Sequence, residues 1–138
     1  MAKTERQIVP DLSELIDRLT INQLKLVLRQ DSPESYLSEI KDLMYDIESI
    51  VSKLKVKINA QFIKSLINLA QINLHIWNTK NQMQKDPTQF ESCMKLAHQL
   101  NGIRNQAKNY IHDQVGGGIS DKKTNTLTDN LTVWDMLS

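Results

Sequence analysis

The chain has 138 residues, 17 basic against 16 acidic, and a net charge of +1; that is room for one domain with one modest core. The balance makes no electrostatic case for nucleic acid or an anionic membrane, and no apolar run approaches the roughly 20 residues needed to span a bilayer. The single cysteine, Cys93, excludes an internal disulfide framework and cannot build a thiolate metal site alone.

The opening stretch, MAKTERQIVPDLS, is polar and has no apolar signal core. The expectation is a soluble protein of a reducing compartment, cytoplasmic or virion-associated. Asn and Gln are abundant, eleven of each. They spread through the amphipathic segments instead of clustering, as solvated helix surface would.

Residues 1–10 read as a flexible arm ending at Pro10. Asp11 is a good N-cap with Glu14 three residues on, the spacing of a capping box. Leu12, Leu15, Ile16, Leu19 and Leu26 then form one apolar stripe, which predicts a helix over 12–30. Ser32-Pro33 is a cap followed by a first-turn proline and predicts a second helix over 33–56. Its stripe, Leu37, Ile40, Met44, Ile47, Val51 and Leu54, steps alternately by three and four like a coiled-coil seam.

The next boundary is soft, because Lys55 to Asn59 holds no Gly or Pro. Asn59 as a cap predicts a third helix over 60–83, with Ile63, Leu66, Ala70, Asn73 and Trp77 facing inward. The competing reading is one continuous helix over 33–83, far above the usual globular length. Asp86-Pro87 repeats the cap-plus-proline signal and predicts a fourth helix over 87–114. Its inner face is Leu96, Ala97, Leu100, Ile103, Ala107, Tyr110 and Ile111. Gly116, Gly117 and Gly118 end it. Residues 119–129 are polar and read as a mobile linker to an apolar cluster at 133–137.

One phrase occurs twice. ELIDRLTINQLK from Glu14 matches SLINLAQINLHI from Ser65, pairing Leu15 with Leu66, Ile16 with Ile67, Ile21 with Ile72 and Asn22 with Asn73. Each copy is followed by a second amphipathic segment. The expected fold is therefore all-α: an antiparallel four-helix bundle over 12–115, built from two similar helical hairpins, with a flexible C-terminal arm over 116–138.

Asn22, Asn73 and Arg104 stand where the stripes call for apolar residues. In helices that alternate up and down, a rise of about 1.5 Å per residue puts all three near mid-height. Asp17, Arg18 and Asn101 lie about one turn away. Together the six could line a pocket for a small anionic or hydroxylated ligand. The alternative is a hydrogen-bonded layer that fixes register, a known use of buried Asn.

Carboxylates also repeat at helical spacing: Glu14 with Asp17, and Glu39 with Asp42. Such pairs hold magnesium in four-helix nucleotide pyrophosphohydrolases, since that hard cation takes several carboxylate oxygens. Glu39 and Asp42 flank the second helix's seam and so point toward water. A di-iron bundle needs Glu-x-x-His on two helices, and His75, His98 and His112 have no Glu three residues before them. Cys93 on an amphipathic helix reads as an inert buried thiol. Gly116 to Gly118 follow a helix, so they form no phosphate loop. Val133, Trp134, Met136 and Leu137 behind their linker read either as a short motif that docks on a partner groove or as a segment folded back over the bundle's end.

LINLAQINLHIW, followed by LNGIRNQAKNYIHD, resembles a family of small uncharacterised all-helical proteins with phrases of roughly LIDxLxxxNLxIW and LNxxRNxLxxxID. These occur near polysaccharide-synthesis genes and in tailed-phage genomes. Leu66, Ile67, Asn73, Leu74, Ile76 and Trp77 match the first phrase. Leu100, Asn101, Arg104, Asn105 and Ile111 match the second. The chain departs at Asn68 and His112, where the phrases have Asp. The resemblance implies a helical bundle of unassigned activity, with Asn73, Asn101 and Arg104 in one polar cluster.

The combined expectation is a non-catalytic interaction or accessory module with a protein partner, self-associating through its long second helix, and with no cofactor. The alternative is a small-ligand-binding protein or a metal-dependent hydrolase, with Mg only in the latter case, working through the polar layer or the Glu14, Asp17, Glu39 and Asp42 carboxylates.

Overall fold

The computed structural model describes residues 11–29 and 31–115. The arm over 1–10, the linker and the tail residues Val133, Trp134, Met136 and Leu137 lie outside the described residues. Within them the chain is all-helical: α1 (Leu12–Leu28), α2 (Pro33–Leu54), α3 (Ala60–Lys85) and α4 (Phe90–Gln114). None of these helices is long and apolar enough to cross a membrane.

The boundaries follow local chemistry. The Asp11 carboxylate accepts from the Glu14 N–H at 2.9 Å and starts α1. Asn59 does the same for α3, accepting from the Phe62 N–H at 2.9 Å. Both satisfy donors that a helix start leaves without partners. The continuous 33–83 helix does not form. Lys55 turns into the left-handed region, φ 54° and ψ 50°, and the Val56 N–H bonds back to the Val51 carbonyl. That reversal ends α2 and frees Asn59 to cap.

Two boundaries differ from expectation. Ser32 makes no side-chain cap bond; its carbonyl accepts from Ser35 and Tyr36 while Pro33 supplies the helical φ. Asp86 caps as its residue type requires, but its carboxylate holds the Thr88 N–H and hydroxyl. This winds Pro87–Gln89 into a 3-10 turn and delays α4 to Phe90.

α1 packs on α2, α3 packs on α4, and α1 also reaches α3 and α4. The central cluster joins Leu12 and Ile16 of α1, Phe62, Leu69 and Ile76 of α3, and Leu100, Ile103, Ala107 and Ile111 of α4. α2 adds only half-buried residues to it, Ile47, Ile50 and Val51. The core is thus a three-helix core, with α2 laid chiefly along α1.

This arrangement corrects two inner faces. On α3 the buried residues are Phe62, Ser65, Leu69, Asn73, Ile76 and Thr79, while Ile63 and Ala70 are exposed. On α2 only Ile40 and Leu43 are buried; Leu37, Met44 and Leu54 of the predicted seam face outward. The repeat is asymmetric for the same reason. Ile16 is 7 % exposed and its match, Ile67, is 50 % exposed, because α1 has neighbours on several sides and α3 has one side open.

Candidate functional site

A polar cluster ties α1 to α3 and α4. Asp17 is 1 % exposed. Its Oδ1 accepts from Asn73 Nδ2 at 2.8 Å and from Arg104 Nε at 3.1 Å, and its Oδ2 accepts from Arg104 Nη2. Lys108 Nζ stands 3.6 Å from Oδ2 and 2.8 Å from Glu14 Oε1. Asn73 also donates to the Thr20 hydroxyl at 2.7 Å, and that hydroxyl donates to the Asp17 carbonyl at 2.8 Å. Every partner comes from one face of its own helix. Asp11, Glu14 and Asp17 are three apart on α1 or its cap; Arg104, Lys108 and His112 are four apart on α4. They meet in reversed order, with His112 Nδ1 3.6 Å from Asp11 Oδ2, so α1 and α4 run in opposite directions.

Burial works to raise the Asp17 carboxyl. The Arg104 and Asn73 hydrogen bonds and the Arg104 and Lys108 charges outweigh it and hold the group below its ordinary value. Arg104 moves the other way, raised first by its hydrogen bond to Asp17, with burial opposing. The ionised pair is therefore the state this packing selects. Its chemistry is that of a bidentate, charge-assisted clamp with both oxygens engaged.

The structure brings Asp17, Asn73 and Arg104 into contact, three of the six residues expected in the polar layer. Asn22 is buried, but it donates to its own helix's Arg18 carbonyl at 3.0 Å. Arg18 itself is exposed and Asn101 is half-buried. Asn73 meets α1 near Asp17 and Thr20, about one turn from Asn22, so the two copies of the repeat are offset along the bundle. Lys108 was not foreseen. Its signal was present, as the middle member of the Arg104, Lys108, His112 spacing.

The four carboxylates do not assemble. Glu14 faces Lys108, Asp17 is held by Arg104, and Glu39 and Asp42 are exposed on α2. Among the described residues no three Asp, Glu, His or Cys side chains gather as a possible metal ligand set. Cys93 is buried.

The second feature is a groove of about 580 Å³ between α1, α2 and α3. Leu19, Leu24, Val27 and Leu28 of α1 form one wall, Ile40 and Met44 of α2 another, and Ala70 and Leu74 of α3 the third. Only Thr20, Gln23 and Gln71 add polar side chains. Val27, Leu28, Met44 and Leu74 are all exposed. α2 leaves this space open by following α1 and leaving α3 to α4. Contiguous apolar surface of this kind marks a binding face more often than a bare monomer surface. Compared with protein-family models, curated proteins and solved structures, the chain matches none.

Proposed function

We propose that this chain is a non-catalytic interaction module that binds an apolar helix of a protein partner in the groove between α1, α2 and α3. The observation that supports it is the groove itself, with three helices contributing apolar walls that stay exposed to water. A helix laid there would present residues at i, i+3, i+4 and i+7 to Leu24, Met44 and Leu74, and the Gln23 and Gln71 amides would meet its polar edge. In this reading the Asp17–Arg104 cluster is a register device that holds α1, α3 and α4 so that α2 can stand apart. The four helices then read as two antiparallel hairpins, α1 with α2 and α3 with α4. The resemblance of its helical phrases to those of proteins from polysaccharide gene neighbourhoods and tailed phages supports the proposal of an accessory role in such a setting.

A photo-crosslinking amino acid placed at Met44 or Gln71, in the cells that make the protein, tests the reading. The expected result is a discrete protein adduct from both positions and none from the exposed Lys95 on α4. No adduct from the groove, or an equal one from Lys95, overturns it.

A further inference from the structure

α2 is tied to the rest of the chain less than any of the other three α-helices. Two of its 22 residues, Ile40 and Leu43, are buried, against six of 17 in α1, six of 26 in α3 and eight of 25 in α4. Neither belongs to the central cluster, against which α2 packs only the half-buried Ile47, Ile50 and Val51. Burial stabilises in proportion to the apolar area taken from water, so α2 gains least from docking.

Polar ties repeat the pattern. Asp17, Asn73, Arg104 and Lys108 link α1, α3 and α4. Among the described residues no hydrogen bond or ion pair joins a side chain of α2 to another helix. Tyr36 reaches only Asp31 in the turn before its own helix, through an exposed bond of 3.4 Å.

The ends and the surface of α2 act in the same direction. Ser32 gives it no side-chain cap bond. Lys55 closes it in the left-handed region, which a residue with a Cβ enters at a cost. Glu39, Asp42 and Asp46 stand three and four apart and are all exposed, a spacing at which like charges weaken a helix. Without packing, a helix of 22 residues is marginal in water. When α2 leaves the core it therefore loses its backbone bonds as well.

We infer that α2 opens from the fold as a separate unit while α1, α3 and α4 stay joined through the Asp17–Arg104 clamp. The opening removes Ile40 and Met44, one wall of the groove, and bares the side of α1 that α2 covers. α2 is thus a flap at the face read above as a binding surface, and its docking free energy sets how often that face is uncovered. The effect on binding rests on the groove reading. The opening itself rests on burial and bonding alone.

Native-state amide hydrogen exchange, followed by NMR on the full chain in urea below the unfolding transition, tests it. After correction for intrinsic rates, amides of residues 43–51 in α2 are expected to exchange at least about tenfold faster than those of residues 100–107 in α4, and to share one urea dependence. Arg104→Met carries a distinct signature. It weakens the core against global unfolding but leaves the docking of α2 alone, so α4 amides are expected to speed up while α2 amides keep the wild-type rate. α2 amides as slow as those of α4 overturn the inference, as does α2 exchange that varies from residue to residue with no common urea dependence. An Arg104→Met chain in which α2 and α4 speed up by the same factor overturns it too. The wild-type rates decide the question even where Arg104→Met does not fold. Exchange is read on the chain alone, so this result and the photo-crosslinking result fail separately.

Discussion

Arg104 of α4 holds Asp17 of α1 through two nitrogens, Nε on Oδ1 at 3.1 Å and Nη2 on Oδ2. Asn73 of α3 shares Oδ1 at 2.8 Å. One carboxylate, 87 residues from its main partner in sequence, is thereby the joint of the three helices that build the core. Removing its partner leaves a charge buried with too few donors, and that cost exceeds the worth of the pair itself. Arg104→Met is expected to lower unfolding stability by about 2–4 kcal/mol in urea titrations. Equal or greater stability would show that the clamp is dispensable.

The same pair sets an acid limb. The Asp17 carboxyl titrates lower in the folded chain than its ordinary 3.8, so the folded state prefers the ionised form. Its contribution is present in full above the unfolded group's value and is lost as the pH falls through 3.8 toward the folded one. Wild type and Asp17→Asn are therefore expected to show a constant stability difference from pH 7 to about 5 that narrows below about pH 4. A gap that stays constant to pH 2 would contradict the assigned direction.

The repeat offers a matched comparison. Ile16 and Ile67 occupy equivalent places in the two copies, yet one is core and the other is half open to water. Ile16→Ala is expected to cost about 2–4 kcal/mol and Ile67→Ala less than about 1 kcal/mol. Thermal and urea unfolding of the two variants, at concentrations too low for copies to associate, measures this. Similar losses would mean that α3 is covered on both sides within one chain.

The helix starts predict a graded series. Asn59→Ala removes a cap bond that exists and is expected to cost about 1 kcal/mol. Ser32→Ala removes none and is expected to stay within about 0.5 kcal/mol. Lys55→Gly relieves the left-handed backbone at φ 54° and is expected to gain about 0.5–1 kcal/mol. Chemical denaturation orders all three, and a costly Ser32→Ala would reverse the series.

Much of the fold was legible. Asp11, Pro33, Asn59 and Asp86 marked four helix starts to within three residues, because capping and proline chemistry are local. Asn73 and Arg104 stand out as polar residues on apolar stripes, with Asp17 about one turn from such a position, and a buried polar group must find partners. Their actual partnership was not legible. The repeat pairs Asn22 with Asn73, whereas the side-to-side register of α1 and α3 is set by how Leu12, Ile16, Leu69 and Ile76 pack together.

The α3 face was misjudged for a related reason. Ile63, Leu66, Ala70, Asn73 and Trp77 make a valid helical stripe, and so do Phe62, Ser65, Leu69, Asn73 and Ile76. A helix with two apolar sides does not announce which one the chain itself will cover.

Helix number, helix type and most helix limits were thus in the order of the residues, since each depends on atoms within about one turn. Which stripe turned inward, which carboxylate met which cation, and where a groove stayed open depended on helices from distant parts of the chain competing for the same neighbours. α4 took one side of α3, α1 took α2, and the remaining apolar surface is the outcome of that competition, which no local rule encodes.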